Sequence, residues 1–298
     1  MTGLGALIRR NVKLFFHDKG MFFTSLITPL ILLVLYGTFL AGIYRDSFTS
    51  ALPAFFSVEE SLIDATVGGQ LASSLLAVSC VTVAFCSNLL MVQDKVSGAR
   101  RDLTVSPVRH STLAVGYFCA SALTTLIVSV TAYAVCLAYL GRMGWYLSAA
   151  DVLALLLDVV LLTLFGVALS SCVNFFLSTS GQASAVGTIV SAGYGFLCGA
   201  YMPISNFSEG LQKALSFLPG TYGTSLLRNH ALRGVYAELR AAGFPDEAVE
   251  MIRDSIDCNL YFYGEKVSVP AMYLILIAAV AVLTALYVLL NVLSTKRR

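Results

Sequence analysis

The chain has 298 residues, 57% of them hydrophobic and only 12% charged, and its mean hydropathy is +0.81. Those values lie far above a soluble globular domain and exclude one. A formal charge of +2 says little as a sum, and no nucleic-acid partner is expected.

Crossing a bilayer takes about 20 predominantly apolar residues. Six segments qualify, at 21–43, 66–92, 112–140, 151–173, 182–201 and 270–293. An all-α membrane protein is expected, because helices satisfy their own backbone polar groups in lipid. Residues 1–20 form an interfacial helix ahead of a single transmembrane domain at 21–298. Within that domain, 93–111 is a cytoplasmic loop and 202–269 an extracytoplasmic hairpin and cap. No signal peptide is expected, since the first apolar segment is long enough to span.

Residues 4–18 read as an amphipathic helix. At 100° per residue Arg9, Arg10, Lys13 and His17 share one arc, and Leu4, Leu7, Ile8, Val12, Leu14, Phe15 and Phe16 cover the remainder. That pattern suits a helix lying in the membrane interface, its basic face towards head groups or a partner. A merely basic flank of the first span is the alternative. Gly20 lets the chain turn into that span.

The outer loop at 44–65 carries Glu59, Glu60 and Asp64 near its end. The second span shows a loose stripe of Thr66, Gln70, Ser73 and Ala77, with Asn88 further along. Small and weakly polar residues on one face serve close helix packing or a translocation path.

Between the second and third spans sits the densest charge in the chain: Asp94, Lys95, Arg100, Arg101, Asp102 and Arg109, with Gly98 and Pro107 among them. Read as a continued helix, this stretch brings Val92, Val96, Ala99 and Leu103 to one side. Gly98 interrupts it, and Pro107 ends it by biasing Ser106 away from helix. The shape is a short elbow that presents charge to a soluble partner, or an ordinary positive-inside connector.

After the uncharged third span, Trp145 and Tyr146 anchor an interface. Asp158 in the fourth span lies on the face of Asp151, about 10 Å deeper at helical rise. An intramembrane carboxylate marks either a functional group or a paired structural one. The fifth span is rich in glycine and serine, favouring tight helix contact. Two moderately apolar segments then follow, bracketed by Pro203, Pro219, Gly220 and Tyr222. They are too short to span and read as an outer re-entrant hairpin. Pro245 opens a soluble helix with Ala248, Val249, Ile252 and Ile256 on one face.

Charge bias orients the chain. With the N-terminus inside, the inner segments hold eleven basic residues: Arg9, Arg10, Lys13, Lys19, Lys95, Arg100, Arg101, Arg109, Lys296, Arg297 and Arg298. The two short outer loops hold only Arg45 and Arg142, so both termini are expected to be cytoplasmic. Six of the seven cysteines fall within spans and only Cys258 outside, so no disulfide framework is expected there. His17, His110 and His230 are far apart, and no metal-ligand spacing appears. An intramembrane enzyme lacks a paired catalytic constellation.

The run Asp94-Lys95-x-x-Gly98-x-x-x-x-Leu103-x-x-Ser106-Pro107-Val108 resembles the acidic-x-x-x-Gly-x-Leu…Pro-Val loop of type-2 ATP-binding-cassette export permeases. Asp94 replaces the family's glutamate, and Gly98-Ala99-Arg100 replaces its Gly-Thr-Leu. Phe196 to Ser205, followed by Leu218-Pro219-Gly220-Thr221-Tyr222 and Leu227-Arg228, is similar to a second and more specific block of that family. The resemblance covers nearly the whole chain. It implies a half-transporter, two permease copies working with two ATPase subunits. This chain has no Gly-x-x-x-x-Gly-Lys-Ser/Thr loop, so ATP and Mg would be held by the partner and no cofactor by this chain. Asp94, Lys95, Gly98, Arg100, Arg101 and Pro107 would couple to the ATPase, with Arg9, Arg10 and Lys13 as a second contact. The path would run at the dimer interface, with Tyr36, Gln70, Ser73, Asn88 and Tyr194 as candidate lining residues. The implied activity is outward movement of an amphipathic drug, lipid or peptide across a bacterial plasma membrane. The alternatives are a polysaccharide or teichoic-acid exporter, which a stripe of Tyr36, Phe39, Phe85, Tyr194 and Phe196 would support, and an ion-coupled secondary transporter using Asp158.

Overall fold

A computed structural model describes residues 3–42, 45–46, 59–105 and 110–296. Pro107 and Arg109 lie outside the described residues, as does the central part of the first outer loop.

The fold is built around one helix. Following α1 (Leu4–His17) and α2 (Lys19–Leu35, continued by a π turn at Tyr36–Leu40), α3 runs unbroken from Glu60 to Val96. At helical rise its 37 residues extend roughly 55 Å. The most apolar window of α3 is 94% buried, whereas that of the last helix is only 11% buried. α3 is therefore the axis of the bundle. Its Ala, Ser and Gly content explains the position, because small side chains let neighbouring backbones approach. At Gly166 on the facing helix, an added Cβ would lie 3.0 Å from both the Cys80 carbonyl oxygen and the Val81 Cα.

The remaining helices are α4 (Ala99–Val105), α5 (His110–Met143), α6 (Ala149–Phe176), α7 (Ser180–Leu197), α8 (Glu209–Leu215), α9 (Pro219–Ala231), α10 (Arg233–Ala241), α11 (Asp246–Ser255) and α12 (Val269–Lys296). A two-stranded antiparallel hairpin, β1 (Tyr261–Phe262) with β2 (Glu265–Lys266), is a small departure from the all-α expectation. Its turn uses Tyr263 and Gly264 at positive φ.

Among the described residues four helices are long and apolar enough to cross a membrane. They become five if α1 and α2, bent by 72°, count as one broken span. The segment expected at 182–201 is α7, shorter than expected and diluted by Gln182, Ser184, Thr188 and Ser191. It stops where Gly199 takes φ +74°. The bend between α1 and α2 falls at Asp18 rather than Gly20. Asp18 is extended there, and its carboxylate accepts from the Met21 backbone N–H at 3.0 Å to cap α2.

The outer segment is only partly the expected hairpin. α8 lies at the surface, but α9 is buried from Gly220 to Ala231 and packs against α3, α6 and α12. Pro219 sits in its first turn, where a missing N–H costs nothing. The outer cap has its own small core, in which Leu232, Tyr236, Leu239, Phe244, Val249 and Cys258 pack against Leu62 and Ala65 of α3.

Candidate functional site

At the end of the bundle that holds the charged elbow, α1 lies on α5, where Leu7 occupies the space that a side chain at Gly116 would take. This seating directs Arg10 inward. Its guanidinium forms a fork on Asp94, Nη1 to Oδ2 at 2.8 Å and Nη2 to Oδ1 at 3.0 Å. Tyr117 of α5 donates its hydroxyl to the same carboxylate at 2.5 Å. The Asp94 hydrogen bond raises the pKa of Arg10 above its ordinary value. One buried carboxylate thus ties α1 to two helices of the bundle, α3 and α5.

The next residue does similar work in another direction. Lys95 Nζ donates to the carbonyls of Asn174, Phe175 and Leu177, at 3.1, 2.6 and 2.8 Å. These carbonyls close the C-terminal end of α6, where the helix runs out of its own N–H donors and only Asn174 gains a backbone one, from the Leu177 N–H at 3.3 Å. Asp94 and Lys95, expected as a charged handle, are therefore internal ties.

The helix does not continue through the loop. α3 ends at Val96, Gly98 takes φ +84° with open space around it, and α4 starts anew. The expected alignment of Val92 and Val96 with Ala99 and Leu103 assumes an unbroken helix, and this break removes it. Among the described residues the elbow leaves at the surface Val96 and Val105, 50% and 84% exposed, together with Ser97, Arg101 and Asp102. Arg100 is half-buried, and Arg9 and Lys13 of α1 are exposed.

A groove of about 1280 Å³ separates α2 from α7, with α3 as its floor. Among the described residues no charged side chain lines it. Threonine and serine hydroxyls interrupt an apolar surface, Thr24 and Thr28 on one wall and Ser184 and Thr188 on the other. Several of these hydroxyls bond back to their own helix, Thr24 to the Gly20 carbonyl and Thr188 to that of Ser184. Gln70 lines the groove too, and its side-chain nitrogen is buried without a partner. At the end away from the elbow the groove is bordered by residues 201–203, Asn206 and the end of α11.

Of the expected path residues, Tyr36 and Gln70 line this groove, whereas Ser73, Asn88 and Tyr194 do not. Ser73 bonds the Gln70 carbonyl inside α3. Asn88 donates to Ser170 and Ser171 at 2.7 and 2.9 Å and accepts from Ser121, joining α3, α5 and α6. Tyr194 is buried against Gly220 of α9. Each is internal packing, since a helix face rich in small residues turns towards whichever neighbour comes closest.

The outer hairpin is held by a node that the sequence does not reveal. Arg228 of α9 is 1% exposed and donates to the Gly199 carbonyl at 2.5 Å, to Ser74 Oγ at 3.3 Å and to Asp257 at 3.4 Å. Asp257 in turn accepts the Ile204 and Ser205 backbone N–H groups. Pro203 precedes the short 3-10 turn at Ile204–Asn206, and Tyr222 reaches back to the Ser216 carbonyl at 2.6 Å. Burial raises the pKa of Asp257, with Arg228 opposing the shift.

Asp158 is also paired. His230 Nδ1 of α9 and the Tyr273 hydroxyl of α12 each sit 2.6 Å from one of its oxygens. Asp158 does not line the groove. Its place within an apolar span marks this carboxylate in the sequence, but its partners are 72 and 115 residues away and carry no local signal. Among the described residues no cluster of His, Cys, Asp and Glu is placed to hold a metal.

A protein-family model described as "ABC-2 family transporter protein" matches residues 49–287. A comparison with curated proteins finds no significant match. The match covers most of the chain and includes the charged elbow, the groove floor and the Arg228 node, so this membrane protein belongs to the ABC-2 transporter family.

Proposed function

We propose that the chain is the permease half of an ATP-driven exporter, crossing the cell membrane six times with both termini in the cytoplasm. Two copies would face one another across their α2–α7 grooves, and a separate ATPase subunit, holding ATP and Mg, would dock below. The exposed cations of α1, Arg9 and Lys13, together with Arg101 and the apolar Val96 and Val105 of the elbow, form the docking surface in this reading. Arg10, Asp94 and Lys95 then join that surface rigidly to α3, α5 and α6.

The observation that carries the reading is the groove. It is large, apolar and uncharged, with scattered hydroxyls and the free amide of Gln70 as its polar groups. Such a wall accepts an amphipathic molecule without stripping water from an ion, which in an apolar site would cost several kcal/mol.

A second reading rests on a different part of the same wall. Tyr36, Phe39, Phe196 and Tyr201 gather in the groove, with Phe196 and Tyr201 edge to face at 5.0 Å. Aromatic faces stack on sugar rings, which favours a lipid-linked glycan over a simple drug.

The test is co-purification of the full chain with an ABC ATPase subunit from its own cell, followed by a screen for compounds that stimulate hydrolysis. Gly187→Trp fills the groove at a position with open space around it. Transport should stop in that variant while the ATPase still co-purifies. Transport at the wild-type rate in Gly187→Trp would remove the groove from the path.

A further inference from the structure

α2 has open space on two flanks. Opposite the groove, a second cavity of about 410 Å³ lies between α2, α3 and α5. Its walls are apolar: Leu33 and Tyr36 from α2, Leu75 from α3 and Val135 from α5. Leu33 and Val135 are 44% and 50% exposed, so the cleft opens sideways, where lipid would stand. Polar character appears only at one end, with Tyr139 and Arg142.

That end is the membrane boundary. Arg142 ends α5, and Trp145, 52% exposed, follows within a turn. A basic side chain and a tryptophan at the end of a spanning helix sit at head-group level. From Arg142 down to Val135 the cleft is about 10 Å deep at helical rise. The carboxylates of α3 near this rim do not neutralise Arg142. Glu60 and Asp64 are held by Arg45, at 3.2 and 2.7 Å, and no ion pair forms on Arg142 among the described residues.

We propose that this cleft binds one phospholipid of the outer leaflet, an acyl chain between α2 and α5 and the phosphate on Arg142. The guanidinium offers forked donors that match phosphate oxygens. The bound chain also meets Tyr36, which stands in the walls of both cavities and begins the π turn of α2. π turns are rare and gather at functional positions. Tyr36 is buried and donates to the Ala200 carbonyl at 3.4 Å, beyond the C-terminal end of α7. A lipid in the cleft therefore bears on the partition between lipid and groove. The choice of leaflet rests on the topology proposed above, whereas the cleft and its charged rim are independent of ATPase coupling.

Native mass spectrometry of the purified full-length chain tests it, with phosphatidylglycerol and a diacylglycerol of identical chains as probes. One phosphatidylglycerol should bind saturably per chain, and Arg142→Ala should weaken it about tenfold, the loss of one charge-assisted contact. Arg142→Lys should retain most binding, which separates lost charge from lost folding. Diacylglycerol should bind more weakly and be indifferent to Arg142→Ala. Val135→Trp, which fills the cleft at an exposed position, should abolish both. Equal binding of the two lipids by the wild type, or undiminished binding in Val135→Trp, overturns the proposal.

Discussion

Replacing Asp94 with alanine removes the acceptor of three hydrogen bonds, two from Arg10 and one from Tyr117. The consequences for the two donors differ. The Arg10 side chain is 33% exposed and recovers water. Tyr117 is buried, and its hydroxyl loses a partner that water replaces poorly. An orphaned buried donor costs about 1–3 kcal/mol, and breaking a fully buried ion pair about 3–5 kcal/mol. With one partner half in solvent, about 2–3 kcal/mol is expected for Asp94→Ala. Arg10→Met should cost at least as much, because it leaves a carboxylate of 7% side-chain exposure facing only Tyr117. The assay is a double-mutant cycle on Arg10 and Asp94, read by equilibrium unfolding in detergent, with protease release of α1 as a local readout. A coupling energy near 2 kcal/mol is expected, since contacting charged residues couple by about 0.5–3 kcal/mol. Coupling below about 0.5 kcal/mol would refute the idea that this pair holds α1 to the bundle. In the transport assay, complexes of the single variants with the proposed ATPase subunit should show less export per ATP hydrolysed.

Gly98→Ala puts a Cβ at φ +84° in open space, so its penalty is backbone strain alone, about 1–2 kcal/mol. The chain should still insert while ATPase docking weakens, and wild-type docking in co-purification would count against the elbow. Cys258 is 1% exposed, and burial pushes its thiol up to about 11. It should resist an impermeant maleimide added outside cells until the protein is unfolded. Fast labelling of the native protein would contradict the packing of the cap. Glu250 is held down at about 2, first by its hydrogen bond from Lys266 at 2.8 Å. A free glutamate titrates near 4.3. Its contribution to the cap is therefore complete above about pH 4.3 and is lost as pH falls through about 2. Pepsin should cut the cap increasingly over that interval, and Lys266→Met should shift the onset to higher pH. An unchanged profile in Lys266→Met would exclude the pair as the acid-sensitive element.

The amino-acid sequence by itself determined the solvent. Long apolar runs and the placement of lysine and arginine are local properties, read against water and lipid without reference to any other segment. The amphipathic first helix was legible for the same reason, since its moment arises within Leu4–His17. So was the break at Gly98, where the backbone itself is special. The tertiary structure decided which charges are available and which are spent. Asp94 lies 84 residues from Arg10, and Lys95 about 80 residues from the carbonyls it caps. In the sequence they look like the most exposed part of the chain. Their partners come from α1 and the end of α6, segments that helix packing alone brings together. The same holds for Asp158 with His230 and for Arg228 with Asp257. Burial without a partner would make each such charge costly in this bundle, so pairing had to exist somewhere. Hydropathy and periodicity, which act over a few helical turns, carry no record of which distant residue supplies it.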